Sequence, residues 1–301
     1  MKYNINYNLK GGSATVKKIK NNLMTDLDTI EKIIEDINKE KYDDDYTIDI
    51  EWKINKLEQV MTFDKLKDVD LINPFEIGFN LISLRNPNIE ENSKPLFILP
   101  GFSGQSVGWT ISRISKYHQI IFEKKFSDIH IFDFTAIGGE KKNKETIIQS
   151  AIMNQFDSNA INDMYIEIAK FIKEQILSNY ENISLIGRSA GGGLALHIVL
   201  THGQKVNSLN LACPGTNNMA IESKISEYEN KNLPIRMCFA YNDQKIPIIK
   251  DDKENPDGIR VLNDLFFKKG FLDYMYYEVS TPNQDDKFNH RIQPILIENI
   301  I

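Results

Sequence analysis

The stretch ISLIGRSAGGGLALHIVL, residues 183–200, contains the residues that decide the fold. It begins as a short apolar run, passes through several glycines and continues as an apolar segment of helical length. Gly187 and Gly191 stand two residues before and two residues after Ser189, where side chains would obstruct a tight turn. The stretch therefore predicts a strand, a sharp turn that exposes the Ser189 hydroxyl, and a helix. A hydroxyl held in this way is placed to act as a nucleophile.

The same glycines have two other interpretations. They would also allow a helix to pack closely on a sheet, or let a helix N-terminus hold a phosphate group. A phosphate-binding loop typically ends in Gly-Lys-Ser or Gly-Lys-Thr, and that ending is absent here. The strand before Ser189 and the helix after it therefore favour the nucleophile.

Short apolar runs alternate with helical patterns on both sides of this stretch. Such alternation predicts an α/β fold with a mostly parallel central sheet of about eight strands, flanked by helices. Strands are predicted at residues 47–55, 75–84, 94–99, 128–134, 183–186, 208–213, 234–241 and 272–279. Helices are predicted at residues 111–122, 157–176, 194–200 and 292–301, with helical or irregular stretches near 217–230 and 259–269.

Length and composition indicate how the chain is organised. The 301 residues are enough for one large core, and helical spacing of apolar residues at 23–37 predicts an amphipathic helix in an N-terminal extension. We expect the extension to cover residues 1–45 and a catalytic domain to cover residues 46–301. Neither a signal sequence nor a membrane-spanning segment is recognisable, which predicts a soluble, cytoplasmic protein. The sequence leaves the oligomeric state open.

The charged residues argue against nucleic acid as a partner. The 42 acidic and 36 basic residues are interleaved, give a net charge of −6 and form no basic stripe. Cys213 and Cys238 both lie in apolar runs and are predicted to be inert buried thiols. No cluster has the spacing of metal ligands, so neither a metal nor an organic cofactor is expected.

Three candidate catalytic residues follow one another along the chain: a serine, an aspartate and a histidine. Ser189 is followed by Asp243, at the end of the apolar run in FAYNDQKIP, and then by His290, after the last predicted strand. From about residue 46 to its end, the chain resembles the α/β-hydrolase superfamily, which has this order of nucleophile, acid and base. The resemblance implies a three-layer sandwich with a small or partial lid. It also implies that His290 is the base and that Asp243 orients it.

Other residues compete for these roles. Asp243 is alternatively a surface turn residue, while Asp251, Asp252 and Asp264 lie further beyond the strand. The remaining histidines fit the position of the base less well, because they fall in or beside predicted helices and strands. These residues are His118, His130, His197 and His202.

The segment Leu99-Pro100-Gly101-Phe102 occupies the place of the superfamily's oxyanion loop, with Pro100 where a histidine is common. The resemblance implies that the backbone N–H groups of Phe102 and Ala190 hold the oxyanion. Side chains of Ser103 and Gln105 are alternative donors, and a plain glycine turn is the alternative for the whole loop.

The resemblance implies hydrolysis of a small-molecule carboxylic ester or thioester, with peptide amides and lipids as open alternatives. Arg188, just before the nucleophile, faces either an acidic acyl group or a surface carboxylate. Two short segments, 214–233 and 138–156, are predicted to form a modest cover over the site. An acyltransferase that uses the same serine, and a non-catalytic binding protein on this scaffold, remain alternatives.

Overall fold

The structure of the protein is a computed structural model. It describes residues 53–66, 69–85, 94–101, 126–137, 158–201, 203, 205–216, 218–240, 243, 246, 249–250, 253–256, 258–279, 292 and 296. Three of the predicted helices lie outside these residues: the helix in the N-terminal extension, the helix at 111–122 and most of the helix at 292–301. The division between residues 1–45 and 46–301 therefore stays a prediction.

The described residues form one eight-stranded sheet and one two-stranded sheet. The large sheet has the order β1-β2-β4-β3-β5-β6-β7-β10, and every pairing from β4 to β10 is parallel. This confirms the predicted mostly parallel sheet. The strands are β1 Lys53–Leu66, β2 Val69–Arg85, β3 Lys94–Leu99, β4 Phe126–Ile137, β5 Ile183–Arg188, β6 Val206–Ala212, β7 Ile235–Ala240, β8 Ile249–Lys250, β9 Lys253–Glu254 and β10 Tyr274–Val279.

Four described α-helices accompany the sheet, and their apolar residues explain where they pack. The helices are α1 Ser158–Gln175, α2 Ala190–Leu200, α3 Asn218–Glu227 and α4 Ile259–Lys268, and a short 3-10 helix covers Leu177–Asn179. Every residue of α2 after Ala190 is buried, as expected for a helix that is apolar on all sides. This helix packs between the sheet, along β5, and the helix α1.

Parallel pairing brings the carboxyl ends of β3, β5, β6 and β7 to one edge of the sheet, which we call the catalytic edge after the catalytic residues predicted there. In an open α/β sheet, ligands bind at the edge where the parallel strands end. Pro100 and Gly101 directly follow β3, Ser189 directly follows β5 and Cys213 directly follows β6, while Asp243 lies three residues beyond the end of β7.

The first two strands form a longer hairpin than the sequence predicted. The strand expected at residues 47–55 continues to Leu66, and its partner β2 begins at Val69 rather than at residue 75. Only Glu76–Arg85 of β2 pairs with β4, and Glu76 lies opposite Ile137 at the carboxyl end of β4. The part of the hairpin before Glu76 therefore extends beyond β4 on the side of the catalytic edge.

Candidate active site

Ser189 occupies the turn between β5 and α2, and its backbone has a conformation that is rare for residues with a side chain. Its φ is 53° and its ψ is −127°. Its carbonyl oxygen accepts hydrogen bonds from the N–H groups of Gly192 and Gly215, both at 2.8 Å, and of Gly193 at 3.3 Å. Its own N–H donates to the Ala212 oxygen at 3.1 Å. These four bonds hold the serine in a strained turn at the catalytic edge.

The two glycines predicted to make room for the turn do lack space for a side chain. A Cβ atom on Gly187 would lie 2.6 Å from both the Gly191 oxygen and the Gly192 Cα. A Cβ atom on Gly191 would overlap the carbonyl oxygen of Leu99. Close approach of strand, turn and helix therefore requires glycine at both positions.

The loop after β3 passes directly beside the serine. A Cβ atom on Gly101 would lie 3.2 Å from the Ser189 Cβ and 3.6 Å from its Oγ. Phe102, the next residue and a predicted oxyanion donor, lies outside the described residues. Ala190, the other predicted donor, is the first residue of α2. The first four N–H groups of an α-helix have no acceptor within the helix.

Asp243 lies three residues beyond the end of β7 and is buried, with 2% of its surface exposed. Its N–H donates to the Ala240 oxygen at 3.0 Å, and its Oδ1 accepts the Ile246 N–H at 3.2 Å. The alternative of a surface turn residue does not fit this burial. Of the competing carboxylates, Asp264 is exposed on α4, and the other two lie outside the described residues.

The strand order and the strained serine between β5 and α2 together decide the fold. The chain has the α/β-hydrolase fold. Its parallel strands meet at the catalytic edge, and Ser189 occupies the tight strand-to-helix turn on which this fold presents its nucleophile.

Solved structures with an α/β-hydrolase fold or a hydrolase activity are similar to this chain. A CIB-like hydrolase from Thermoplasma acidophilum is 13% identical over 82% of this chain and 92% of its own, with a TM-score of 0.46. A ferulic acid esterase from the anaerobic fungus Anaeromyces mucronatus is 14% identical over 84% and 90%, with a TM-score of 0.48. A cold-adapted esterase from an Arctic intertidal metagenomic library is 11% identical over 79% and 90%, with a TM-score of 0.43.

These similarities are distant, so the fold assignment rests on the strand order and the Ser189 turn of this chain itself. The sequence matches no protein-family model. It also has no match among curated proteins.

Two of the five histidines are described, and both make contacts inside the fold. His130 of β4 lies 2.7 Å from the Ser83 hydroxyl through its Nδ1, and its ring stacks on Phe97. His197 of α2 lies 3.2 Å from the Thr201 hydroxyl through its Nδ1. The predicted base His290 lies outside the described residues, as do the two other histidines.

Arg188 and Cys213 are the residues whose surroundings the sequence did not reveal. Arg188 is only 7% exposed, so it is not a solvated surface side chain. The position that a Gly101 Cβ would take lies 3.7 Å from the Arg188 Nη1, which places the guanidinium beside Ser189. Cys213 is buried as predicted, but its thiol hydrogen-bonds to the Asp243 carboxylate. For Arg188, the available signal in the sequence was a charged residue at the end of an apolar strand.

Other elements near the site follow the sequence more closely. The predicted small helix in residues 214–233 is α3, which packs on α4 and α2. The other predicted cover, residues 138–156, lies outside the described residues. Within the described part of the chain, no helix is long and apolar enough to cross a membrane. No group of three or more potential metal ligands occurs among the same residues.

Proposed function

We propose that this protein is a serine hydrolase that cleaves a carboxylic ester or thioester of a small molecule through an acyl-enzyme. The conformation of Ser189 is the observation that carries this proposal. Holding a non-glycine residue in a sparsely populated backbone region costs roughly 1–3 kcal/mol, and such strain is concentrated at functional sites. Four backbone hydrogen bonds and two obligatory glycines maintain the strain here.

In the proposed reaction the Ser189 hydroxyl attacks the carbonyl carbon while His290 accepts its proton. Asp243 accepts the imidazole N–H, selects the reactive tautomer and stabilises the imidazolium. His290 then gives the proton to the leaving group. Water releases the acyl group by the same steps in reverse order, with His290 again acting as the base. The burial of Asp243 at the catalytic edge supports its role, and the position of His290 in the sequence supports that of the base.

The negative oxygen of the tetrahedral intermediate needs donors beside Ser189. We assign this role to the backbone N–H groups of Ala190 and Phe102. Ala190 is at the N-terminus of α2, where the helix dipole also favours negative charge. Phe102 follows Gly101, which lies against the serine.

Labelling with a fluorophosphonate probe tests the nucleophile without knowledge of the substrate. We expect the wild-type protein to be labelled on Ser189, and Ser189→Ala to lose the label. Ser226→Ala is the matched control, because Ser226 is exposed on the helix α3 and should not affect labelling. Equal labelling of Ser189→Ala and wild type would show that another residue reacts.

Turnover of simple esters and thioesters tests the other members of the triad. His290→Ala and Asp243→Asn should each lower kcat/KM by roughly 10²–10⁴-fold, the usual size of a general acid–base contribution. Circular dichroism would establish that each variant is folded. Full activity in either folded variant contradicts the assignment of that residue. Failure of a folded wild-type protein to take the label or to turn over any ester would contradict the proposed function as a whole.

A further inference from the structure

Titratable side chains lie at or just beyond the ends of three neighbouring strands at the catalytic edge. Arg188 ends β5 and pairs with Ala212, after which Cys213 follows at once. The Cys213 N–H donates to the Cys238 oxygen of β7 at 3.0 Å, and Asp243 follows the end of β7. The sheet therefore places Arg188 and Cys213 on neighbouring segments, and Asp243 lies in the loop that follows the next strand.

These three side chains are removed from water almost completely. Arg188 is 7% exposed, Asp243 is 2% exposed and Cys213 is fully buried. A carboxylate taken out of water loses several kcal/mol of solvation and takes up a proton unless charges or donors replace the water. The environment of Asp243 therefore determines whether it is ionised.

That environment contains donors and one positive charge. The Cys213 thiol donates to the Asp243 carboxylate, and the Ile246 N–H donates to its Oδ1. Burial lowers the pKa of the Arg188 guanidinium, and the nearby Cys213 and Asp243 oppose that shift. Burial, the charge of Asp243 and the hydrogen bond to it raise the pKa of the Cys213 thiol well above its ordinary value. Cys213 is thus a neutral thiol, which has a proton to donate.

Cys238 is the remaining titratable group in this cluster among the described residues. It faces Cys213 from β7, and burial raises its pKa to about 12. Arg188 from β5 therefore supplies the cation that attracts Asp243, while both thiols stay neutral.

We propose that Arg188 and Cys213 are positioning residues for Asp243: Arg188 keeps the buried carboxylate ionised, and the Cys213 thiol fixes its direction. This inference rests on the proposed function, in which Asp243 orients His290. An aspartic acid that has taken up a proton can no longer stabilise the imidazolium. Arg188 and Cys213 thus act on the reaction through Asp243.

The pH dependence of Ser189 reactivity distinguishes positioning from simple structural support. Arg188→Met removes the positive charge, so the Asp243–His290 pair should take up its proton at a higher pH. An opposite charge at close range shifts a titration by about 1–3 pH units, so we expect the acid limb of the profile to rise by at least about one unit. Arg188→Lys keeps the charge and should leave the acid limb near that of the wild type.

The measurement is the second-order rate constant of fluorophosphonate labelling between pH 5 and 9. A matched pair of variants tests the thiol. Cys213→Ala loses the donor and should shift the acid limb of the pH profile upward by less than Arg188→Met does. Cys213→Ser keeps a donor and should restore the wild-type profile. In an Asp243→Asn background, Arg188→Met should produce no further shift, because the group through which Arg188 acts is already neutral.

Two results would overturn the inference. One is an Arg188→Met variant whose labelling is slowed by the same factor at every pH, as loss of structure alone would cause. The other is a shift that persists undiminished in the Asp243→Asn background. If Arg188→Met does not fold, the Cys213 pair decides, and identical profiles for its two members refute the proposal. Failure of the wild type to be labelled, or unchanged labelling of Ser189→Ala, refutes the proposed function instead.

Discussion

His130 is expected to make the protein lose stability as the pH falls below about 6.5. The residue is 5% exposed, stacks on Phe97 with ring centroids 4.4 Å apart, and lies 2.7 Å from the Ser83 hydroxyl. Its buried Nε2 has no hydrogen-bond partner in the described part of the chain. Burial lowers the pKa of His130 from 6.5 to about 3, because a cation there would have lost its water.

The magnitude follows from the two pKa values. Below pH 6.5 the unfolded chain binds a proton at His130 that the folded protein does not bind until the pH approaches 3. The lost free energy of unfolding from this residue alone is about 1.4 kcal/mol at pH 5.5 and about 2.7 kcal/mol at pH 4.5. Both pH values lie well above the pKa of His130 in the folded protein, so its imidazole stays neutral there in the folded state.

Urea unfolding of the wild type and of His130→Leu at pH 8, 5.5 and 4.5 measures this loss. His130→Leu also loses packing, but this loss of unfolding free energy is the same at each pH. The free energy of unfolding of the variant, relative to that of the wild type, should therefore rise on acidification. Phe97→Leu is the control, because it removes packing beside His130 without removing a titratable group. A stability difference that is constant from pH 8 to 4.5 would refute the reasoning.

Two further predictions concern buried contacts of the backbone. Gly191→Ala should lower the free energy of unfolding by about 3 kcal/mol or more and abolish labelling of Ser189, since its Cβ would overlap the Leu99 oxygen. Gly203→Ala is its control: nothing lies within 4 Å and only the φ of 62° is unfavourable, so it should cost about 1 kcal/mol. Equal losses in the two variants would contradict the steric argument. Asn218→Ala should cost about 2–3 kcal/mol in urea unfolding, because Asn218 is buried and donates to two backbone oxygens at 2.8 and 3.0 Å. The exposed Asn179→Ala should stay within about 0.5 kcal/mol of wild type, and a similarly small effect at Asn218 would argue against these bonds.

The parallel half of the fold was predictable because its signals are local. The run 183–186 is apolar and short, glycines follow it, and the segment after them is apolar on every side. Because each of these signals lies within a few residues, the pattern predicts a strand, a turn and a helix in that order. The strand at residues 94–99 was predicted to the residue, and those at 208–213 and 234–241 were predicted within two residues of the observed bounds.

The first hairpin was harder to predict, because its sequence contains conflicting signals. Val60 and Met61 are adjacent apolar residues and interrupt the alternation that marks a half-buried strand. Pro74 argues against a strand. In the structure the pairing shifts register between Phe63 and Lys65, and four residues of β2 that include Pro74 fall within this irregularity. Only tertiary pairing reveals how the proline is accommodated.

The buried surroundings of the acid could not be predicted for a different reason. Arg188 and Asp243 are far apart in the chain, and they approach each other only because β5, β6 and β7 are neighbours in the sheet. The spacing of residues along the sequence does not show whether a side chain at a strand end points to solvent or along the edge of the sheet. The sequence therefore identified Asp243 as a candidate but left both an acidic acyl group and a surface carboxylate open as partners of Arg188.

The extension of the β1–β2 hairpin past β4 has a consequence for how the protein fluctuates. Before Glu76, β2 is paired with β1 alone among the described strands, whereas β5 is paired on both sides. A two-stranded ribbon is only marginally stable by itself, and local opening requires less free energy where fewer contacts are lost. Amide hydrogen exchange should thus be faster in Val69–Phe75 than in the strand that leads into Ser189. Fluctuations of the ribbon would then change access to the catalytic edge from the β4 side while Ser189 stays in place.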